Sequence, residues 1–330
     1  MRATEIVLPG VGEPETLQVR SRELETPGAG RVVVRVEASG VSFAEQQMRR
    51  GKYYDMPPFP FVPGYDLVGV VEGTGRRVAA LTKTGGWADR VVLDEADLVP
   101  VPDGVSAAEA ETVVVNGVTA WRMLHRAAKV REGQTIVVLG ANSGVGTILV
   151  QLARHAGIRV IGTASPKHHD ALRALGVEPV DYRADDVPAQ VRRLAPQGVA
   201  AVFDHVGGPG IAGSWRMLAK GGTLVGYGSA STRDHPGDPR LPVLKLVAKL
   251  LWWNALPNGK HATFFDLWKG RRDVERFRRQ LREDLTAVLD LVAAGKVAAR
   301  VAKEFPLREA AAALRYAETA GVAGKVILTP

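Results

Sequence analysis

The segment Thr135-Ile-Val-Val-Leu-Gly-Ala-Asn-Ser-Gly-Val-Gly146 constrains the fold of this chain more than any other. A short run of apolar, mostly β-branched residues predicts a buried strand over 135–139. It ends in a turn of small residues, and a helix is predicted directly after it, with Val145, Ile148, Leu149, Leu152 and Ala156 on one face. In such a turn the backbone can approach a pyrophosphate closely. The helix start supplies free N–H groups and the positive end of the dipole. The usual GxGxxG spacing is here AxSxxG, from Ala141 through Ser143 to Gly146, with Gly140 and Gly144 adding room. Alone the pattern says little. Between a strand and a helix, with a second strand following, it predicts a dinucleotide site built from Asn142, Ser143, Gly144, Val145 and Gly146.

The second strand, 159–163, decides which dinucleotide. Folds that take NAD place an acidic residue near its end to hold the ribose hydroxyls. Here the sequence runs Gly162-Thr163-Ala164-Ser165-Pro166-Lys167, with no acid. Ser165 can donate to a 2′-phosphate and Lys167 can supply positive charge, which selects NADPH. The competing reading makes Lys167 a solvated first-turn residue of the next helix. His168 and His169 are adjacent, fall on different helix faces and make poor joint metal ligands.

Around this segment the grammar changes twice. Residues 31–39, 67–71, 77–81 and 88–93 alternate with period two between Gly and Pro turns and predict a β-rich unit. Ser106 with Glu109 forms a capping-box signature that opens a helix, and a second helical run follows through Trp121, Leu124 and Ala128. After Gly133, strands predicted at 135–139, 159–163, 199–203 and 223–227 alternate with helices, the pattern of a doubly wound parallel sheet. Residues 234–272 break this rhythm and are treated as an apolar insertion carrying Leu250-Leu-Trp-Trp253 and Thr263-Phe-Phe-Asp-Leu-Trp268. Folded over a site, it would be a lid suited to a lipophilic small-molecule substrate. A strand over 325–328 is expected to pair with the β-rich unit.

Composition sets outer limits. The chain is 46% hydrophobic and 24% charged, which excludes general disorder. It has no cysteine, so it has neither disulfides nor thiolate metal sites. Residues 1–10 contain no apolar run of signal-peptide length, and no stretch reaches the ~18 apolar residues of a membrane span. A cytoplasmic protein is the expectation. The net charge of +8 allows RNA binding, but the basic residues are dispersed, and near 269–282 acidic residues sit among the arginines at helical spacing. No nucleic-acid partner is expected.

Several further motifs occur in order: Gly40-Val-Ser-Phe-Ala-Glu45, Pro63-Gly-Tyr-Asp-Leu-Val-Gly69, Thr84-Gly-Gly-Trp-Ala-Asp89, Asn116-Gly-Val-Thr-Ala-Trp121, Asp181-Tyr-Arg183, Phe203-Asp-His-Val-Gly-Gly208 and Gly324-Lys-Val326. With the glycine turn, they resemble the zinc-independent medium-chain dehydrogenase/reductases, in the quinone oxidoreductase (zeta-crystallin-like) branch, over nearly the whole chain. The resemblance implies an α/β protein: a GroES-like substrate domain from 1–115 and 296–330, and a Rossmann domain over 116–295, with the active site in the cleft between them. It also implies a homodimer joined through an edge strand of the Rossmann sheet. Zinc-dependent members of the superfamily carry a ligand Cys and a ligand His where this chain has Ser42 and Tyr65. By family position Tyr182 lies against the adenosine, Phe203, His205 and Val206 near the nicotinamide ribose, and Gly226, Tyr227, Gly228 and Ser229 along the nicotinamide. Asn116 and Thr119 adjoin it, and Lys325 reaches the cofactor. The link from Val71 to Arg76 is shorter than the family's usual one.

Without a Lewis acid, the chemistry implied is conjugate reduction. Hydride goes to a quinone or an α,β-unsaturated carbonyl, and donors must stand where charge gathers on its oxygen. Tyr53, Tyr54 and Asn116 are the candidates. For each Tyr a packed aromatic role competes, and for Asn116 an N-cap role. Two alternatives stay open: a reductive cyclase or enoyl reductase of polyketide-type metabolism, and a non-catalytic NADPH-binding protein that associates with RNA or a membrane.

Overall fold

The computed structural model describes residues 1–183, 186–228, 230–232, 237–319 and 322–330. The chain forms two compact units, one of residues 1–118 and 270–330, the other of 119–269. The fold is α/β, with a GroES-like β-rich unit and a Rossmann unit.

In the first unit Arg31–Val41 is the central strand. It pairs antiparallel with Asp66–Val71, with Arg90–Asp94 and with Lys325–Thr329, and the last of these pairs parallel with Val301–Pro306. The expected C-terminal strand is therefore integral to this sheet. Alternation along Arg31–Val41 sends Val34 and Val36 into a core with Leu67, Val71, Val78 and Val91. A second cluster gathers Ile6, Trp87, Phe305, Leu314 and Leu328. Trp87 is fully buried and donates its indole N–H to the Gly40 carbonyl at 2.9 Å, which satisfies the polar atom of a large apolar residue. The short link after Val71 is a tight hairpin. The ladder with Arg77–Leu81 is continuous, and Gly73 and Gly75 take the positive φ values (83° and 69°) that the turn requires.

Helix Ala107–Trp121 opens as expected: Ser106 N–H donates to Glu109 Oε2 (3.0 Å) and Glu109 N–H to Ser106 Oγ (3.2 Å). It runs without a break through Asn116 and continues into a π-helical stretch, Arg122–Ala127. Asn116 therefore cannot be an N-cap, and that reading is corrected. Helix Val274–Ala293, which the sequence reading grouped with the Rossmann part, belongs to the first unit. There Arg278 pairs with Asp94 (2.9 Å) and Asp97 (2.6 Å).

The second unit holds six parallel strands in the order Glu178–Asp181, Arg159–Ala164, Thr135–Val138, Val199–Asp204, Leu218–Gly226, His261–Phe264. Numbered along the chain, this is the 3-2-1-4-5-6 order of a doubly wound sheet, with its switch point between Thr135–Val138 and Val199–Asp204.

Among the described residues, 237–272 are not an insertion. Helix Arg240–Ala255 buries Leu246, Leu250 and Trp253 in the core beneath the sheet, and His261–Phe264 is the sixth strand. Residues 234–236 lie outside the described residues. The segment completes one more strand–helix–strand unit of this sheet and packs into its core, which leaves no ground for reading it as a lid over a lipophilic substrate. The helix also exposes Leu241, Leu244, Leu251 and Trp252. Apolar on both faces, it carries no amphipathic signal. Asn254 exchanges two 2.7 Å hydrogen bonds with the Ala262 peptide, its Nδ2 donating to the carbonyl and its Oδ1 accepting the N–H.

Candidate active site

In the second unit, the turn after Thr135–Val138 is held from beneath by the second strand. Gly140 N–H donates to Thr163 Oγ1 and Ala141 N–H to the Thr163 carbonyl, each at 3.0 Å. Gly140 has φ 64°, and a Cβ there would lie 2.3 Å from His205 Cε1. A Cβ at Gly146 would lie 2.3 Å from the Gly140 carbonyl oxygen. Only glycine fits either position. Ser143 is the N-cap of helix Gly144–His155, its Oγ accepting the Gly146 N–H at 3.1 Å. Asn142, Ser143, Gly144 and Val145 keep partly open surfaces while Gly146 is buried.

At the end of Arg159–Ala164, Ser165 is buried and Lys167 exposed on the short 3-10 turn Pro166–His168. Tyr182 is 53% exposed, with the Arg183 guanidinium 5.4 Å from its ring centroid. These three residues follow the second and third strands on the same side of the switch point.

Beyond the switch point the picture is mixed. Phe203 is fully buried, one residue before the end of its strand. Its side chain belongs to the core. His205 and Val206 lie just past the strand end and are half-buried. His205 Nδ1 is 3.0 Å from the Leu139 carbonyl. A carbonyl only accepts, so Nδ1 carries the proton and Nε2 the lone pair. Burial pushes the imidazole below its ordinary value, against the pull of Asp204, which keeps the ring neutral. Asp204, not singled out from the sequence, takes the Val206 and Gly207 N–H groups (2.8 and 2.9 Å) and the Ser214 hydroxyl (2.6 Å). It fixes the loop that carries His205. Gly226 is buried at the end of its strand, and Gly228 sits against the His205 backbone, with only 2.8 Å between a Cβ there and the His205 carbonyl oxygen. The Tyr227 ring centroid is 5.9 Å from that of His205. Ser229 lies outside the described residues. Thr119 is buried.

In the first unit, Tyr53 Oη lies 3.0 Å from Tyr65 Oη, and the Tyr53 and Tyr54 rings are 5.0 Å apart. Burial, then the neighbouring phenols, push the Tyr53 hydroxyl far above its ordinary range, so it stays protonated and able to donate. Asn116 is half-buried. Lys325 is not poised for a ligand. It is buried, with Nζ 2.6 Å from Asp66 Oδ2 and 2.8 Å from Glu111 Oε1. The expected cofactor contact is corrected: its ammonium is committed to these carboxyl groups. Burial alone would lower Lys325, but Asp66 and Glu111 raise it. Burial holds Glu111 well above the usual carboxyl range. Glu45, also buried, accepts the Ser42 N–H (2.9 Å) and the Tyr65 N–H (2.8 Å). One buried side chain thus ties Ser42 to Tyr65. Glu45, Asp66 and Glu111 escaped the sequence reading, although acids inside apolar strand and helix patterns were the available signal. Among the described residues, no group of three or more His, Cys, Asp or Glu is arranged to hold a metal.

Residues 28–103 match the alcohol dehydrogenase GroES-like domain and residues 175–328 the zinc-binding dehydrogenase family, although this chain has no cysteine. The synaptic vesicle membrane protein VAT-1 homolog of Rattus norvegicus is 30% identical over 98% of this chain and 83% of its own length. A mycocerosic acid synthase-like polyketide synthase of Mycobacterium tuberculosis is 30% identical over 96% of this chain, which spans 15% of that protein. The quinone oxidoreductase of Thermus thermophilus, solved alone and with NADPH, is 32% identical with a TM-score of 0.80, covering 99% of this chain and all of that one. A fold in the 3-2-1-4-5-6 order, a serine-capped glycine turn and whole-length similarity agree: the chain belongs to the medium-chain dehydrogenase/reductase superfamily, in its quinone oxidoreductase branch.

Proposed function

We propose that this chain is an NADPH-dependent reductase acting on a quinone or an α,β-unsaturated carbonyl. The observation that carries the reading is the turn from Gly140 to Gly146: two positions where a side chain would collide with backbone or with His205, opening onto a capped helix of twelve residues. This cradle fits a dinucleotide diphosphate. Ser165 and Lys167 hold the 2′-phosphate, and no acid stands there to repel it. NADPH supplies the hydride. Tyr53, kept protonated, donates a hydrogen bond to the oxygen on which charge gathers, and Tyr54 and Asn116 are the further donors of this reading.

The polyketide synthase relative supports an enone of that chemical type as a substrate class, and enoyl reduction is the same conjugate step. A homodimer completes the proposal, supported by the exposed apolar face of Arg240–Ala255. Among the described residues no helix is long and apolar enough to cross a membrane.

The test is turnover with a quinone and with a short enone, followed by loss of NADPH absorbance, together with dissociation constants for NADPH and NADH. Lys167→Ala should weaken NADPH about ten- to a hundredfold, the worth of a charge-assisted contact, and leave NADH nearly unchanged. Equal weakening of both, or no turnover of either substrate, refutes the reading.

A further inference from the structure

Tyr65 is 5% exposed, while Tyr53, whose hydroxyl lies 3.0 Å from that of Tyr65, is half-buried. The two phenols differ in what holds them. Tyr65 stands directly before strand Asp66–Val71, and its peptide groups are engaged on both sides. Its N–H donates to Glu45 Oε1 (2.8 Å), and its carbonyl accepts the N–H groups of Thr82 (2.9 Å) and Lys83 (3.1 Å). Tyr53 lies outside any regular element, between helix Phe43–Arg49 and that strand. A side chain on such a segment is held in one orientation only if its neighbours lock it. Two contacts do so here. One is the phenol–phenol contact itself. The other is Lys83, which reaches from its backbone bond with Tyr65 to Asp55, two residues beyond Tyr53, with Nζ 2.5 Å from Oδ2.

The direction of the phenol–phenol bond follows from what Tyr53 has to do. Each hydroxyl has one proton to donate and lone pairs to accept. A carbonyl oxygen, and the enolate oxygen that forms from it, takes a hydrogen bond and offers none. With such an oxygen in place the Tyr53 proton is directed to it. The contact between the two hydroxyls then survives only with Tyr65 as donor and Tyr53 as acceptor. Hydrogen bonds in a chain polarise one another. A proton from Tyr65 on the Tyr53 oxygen therefore makes the Tyr53 O–H the stronger donor, and more so as charge gathers on the substrate.

Resting on the reading of Tyr53 as the donor to substrate, we infer that Tyr65 is a positioning residue: its buried hydroxyl donates to Tyr53 Oη, which leaves the Tyr53 proton free for the substrate oxygen and strengthens it there. Tyr65 acts through Tyr53 alone.

The experiment measures the single-turnover rate of NADPH oxidation by a short enone in wild type, Tyr65→Phe, Tyr53→Phe and the double variant, with NADPH titration and thermal unfolding of each. Tyr53→Phe should slow the step about a hundredfold, as loss of a donor to the developing oxyanion does. Tyr65→Phe should slow it about three- to tenfold, the worth of one neutral hydrogen bond, and leave NADPH affinity unchanged. In the Tyr53→Phe background the same change should have no further effect, because the group it acts through is gone. A purely structural role would cost as much in both backgrounds and overturns the inference. An unchanged rate in Tyr65→Phe, or a variant that melts far below wild type, overturns it too. If Tyr53→Phe runs at the wild-type rate, donation by Tyr53 falls and the inference with it, while NADPH-dependent reduction of the enone stands. A wild type that leaves NADPH unoxidised brings down the reductase reading itself.

Discussion

Asp66 and Lys325, 259 positions apart, meet at 2.6 Å with both side chains almost wholly out of water. Asp66 Oδ2 also takes the Val115 N–H at 2.9 Å, while Lys325 Nζ faces the Glu111 carbonyl at 3.4 Å. The pair thus spans one turn of helix Ala107–Trp121, just before Asn116, and joins three distant stretches of chain. Removing the cation leaves an uncompensated buried carboxylate. Lys325→Met should therefore destabilise folding by about 3–5 kcal/mol. Urea unfolding measures this, and a loss below about 1 kcal/mol would show that the pair is dispensable.

Glu45 gives the first unit a distinctive pH dependence. Burial, then the Asp66 charge, push its carboxyl from 4.5 up to about 7. Between those values the folded chain holds a proton that the unfolded chain has released, so this group's stabilising contribution is complete below about 4.5 and disappears as pH rises through 7. The steepest loss is about 1.4 kcal/mol per pH unit. Glu45→Gln should be free of it. The stability difference between wild type and variant, measured by chemical unfolding from pH 4.5 to 7.5, should move against wild type by roughly 3 kcal/mol as pH rises. A difference that stays constant with pH contradicts this assignment.

Adjacent leucines in helix Arg240–Ala255 should behave oppositely. Leu250 is 2% exposed and packs beneath the sheet, while Leu251 is 63% exposed. Leu250→Ala should cost about 2–5 kcal/mol, and Leu251→Ala less than about 0.5 kcal/mol. Thermal unfolding of the two variants checks this. Similar small effects at both sites would restore the idea of a detachable lid.

Legibility in the sequence followed the strength of local signals. The glycine turn, the capping box at Ser106 and the central strands all stand out because each needs particular residue types at fixed spacing. The sixth strand did not. His-Ala-Thr-Phe is too short to show alternation, and the helix before it is apolar on both faces. Asn116 misled because a helix-interrupting residue type sits where Asp66 and Lys325, from elsewhere in the chain, support the helix. Phe203 and Lys325 were assigned to the cofactor by family position, but their burial depends on strand register and on an ion cluster that no local pattern displays. For Tyr227, named by family position, the burial of a hydroxyl with no partner among the described residues appears only in three dimensions.

The Asn254 side chain occupies the open border of the six-stranded sheet, at its last strand His261–Phe264. An uncovered strand border is a template on which a strand of another molecule can grow. By taking both polar groups of the Ala262 peptide, Asn254 acts as a one-residue counterfeit of such a strand. A strand from elsewhere would first have to evict Asn254 before it could pair along that border.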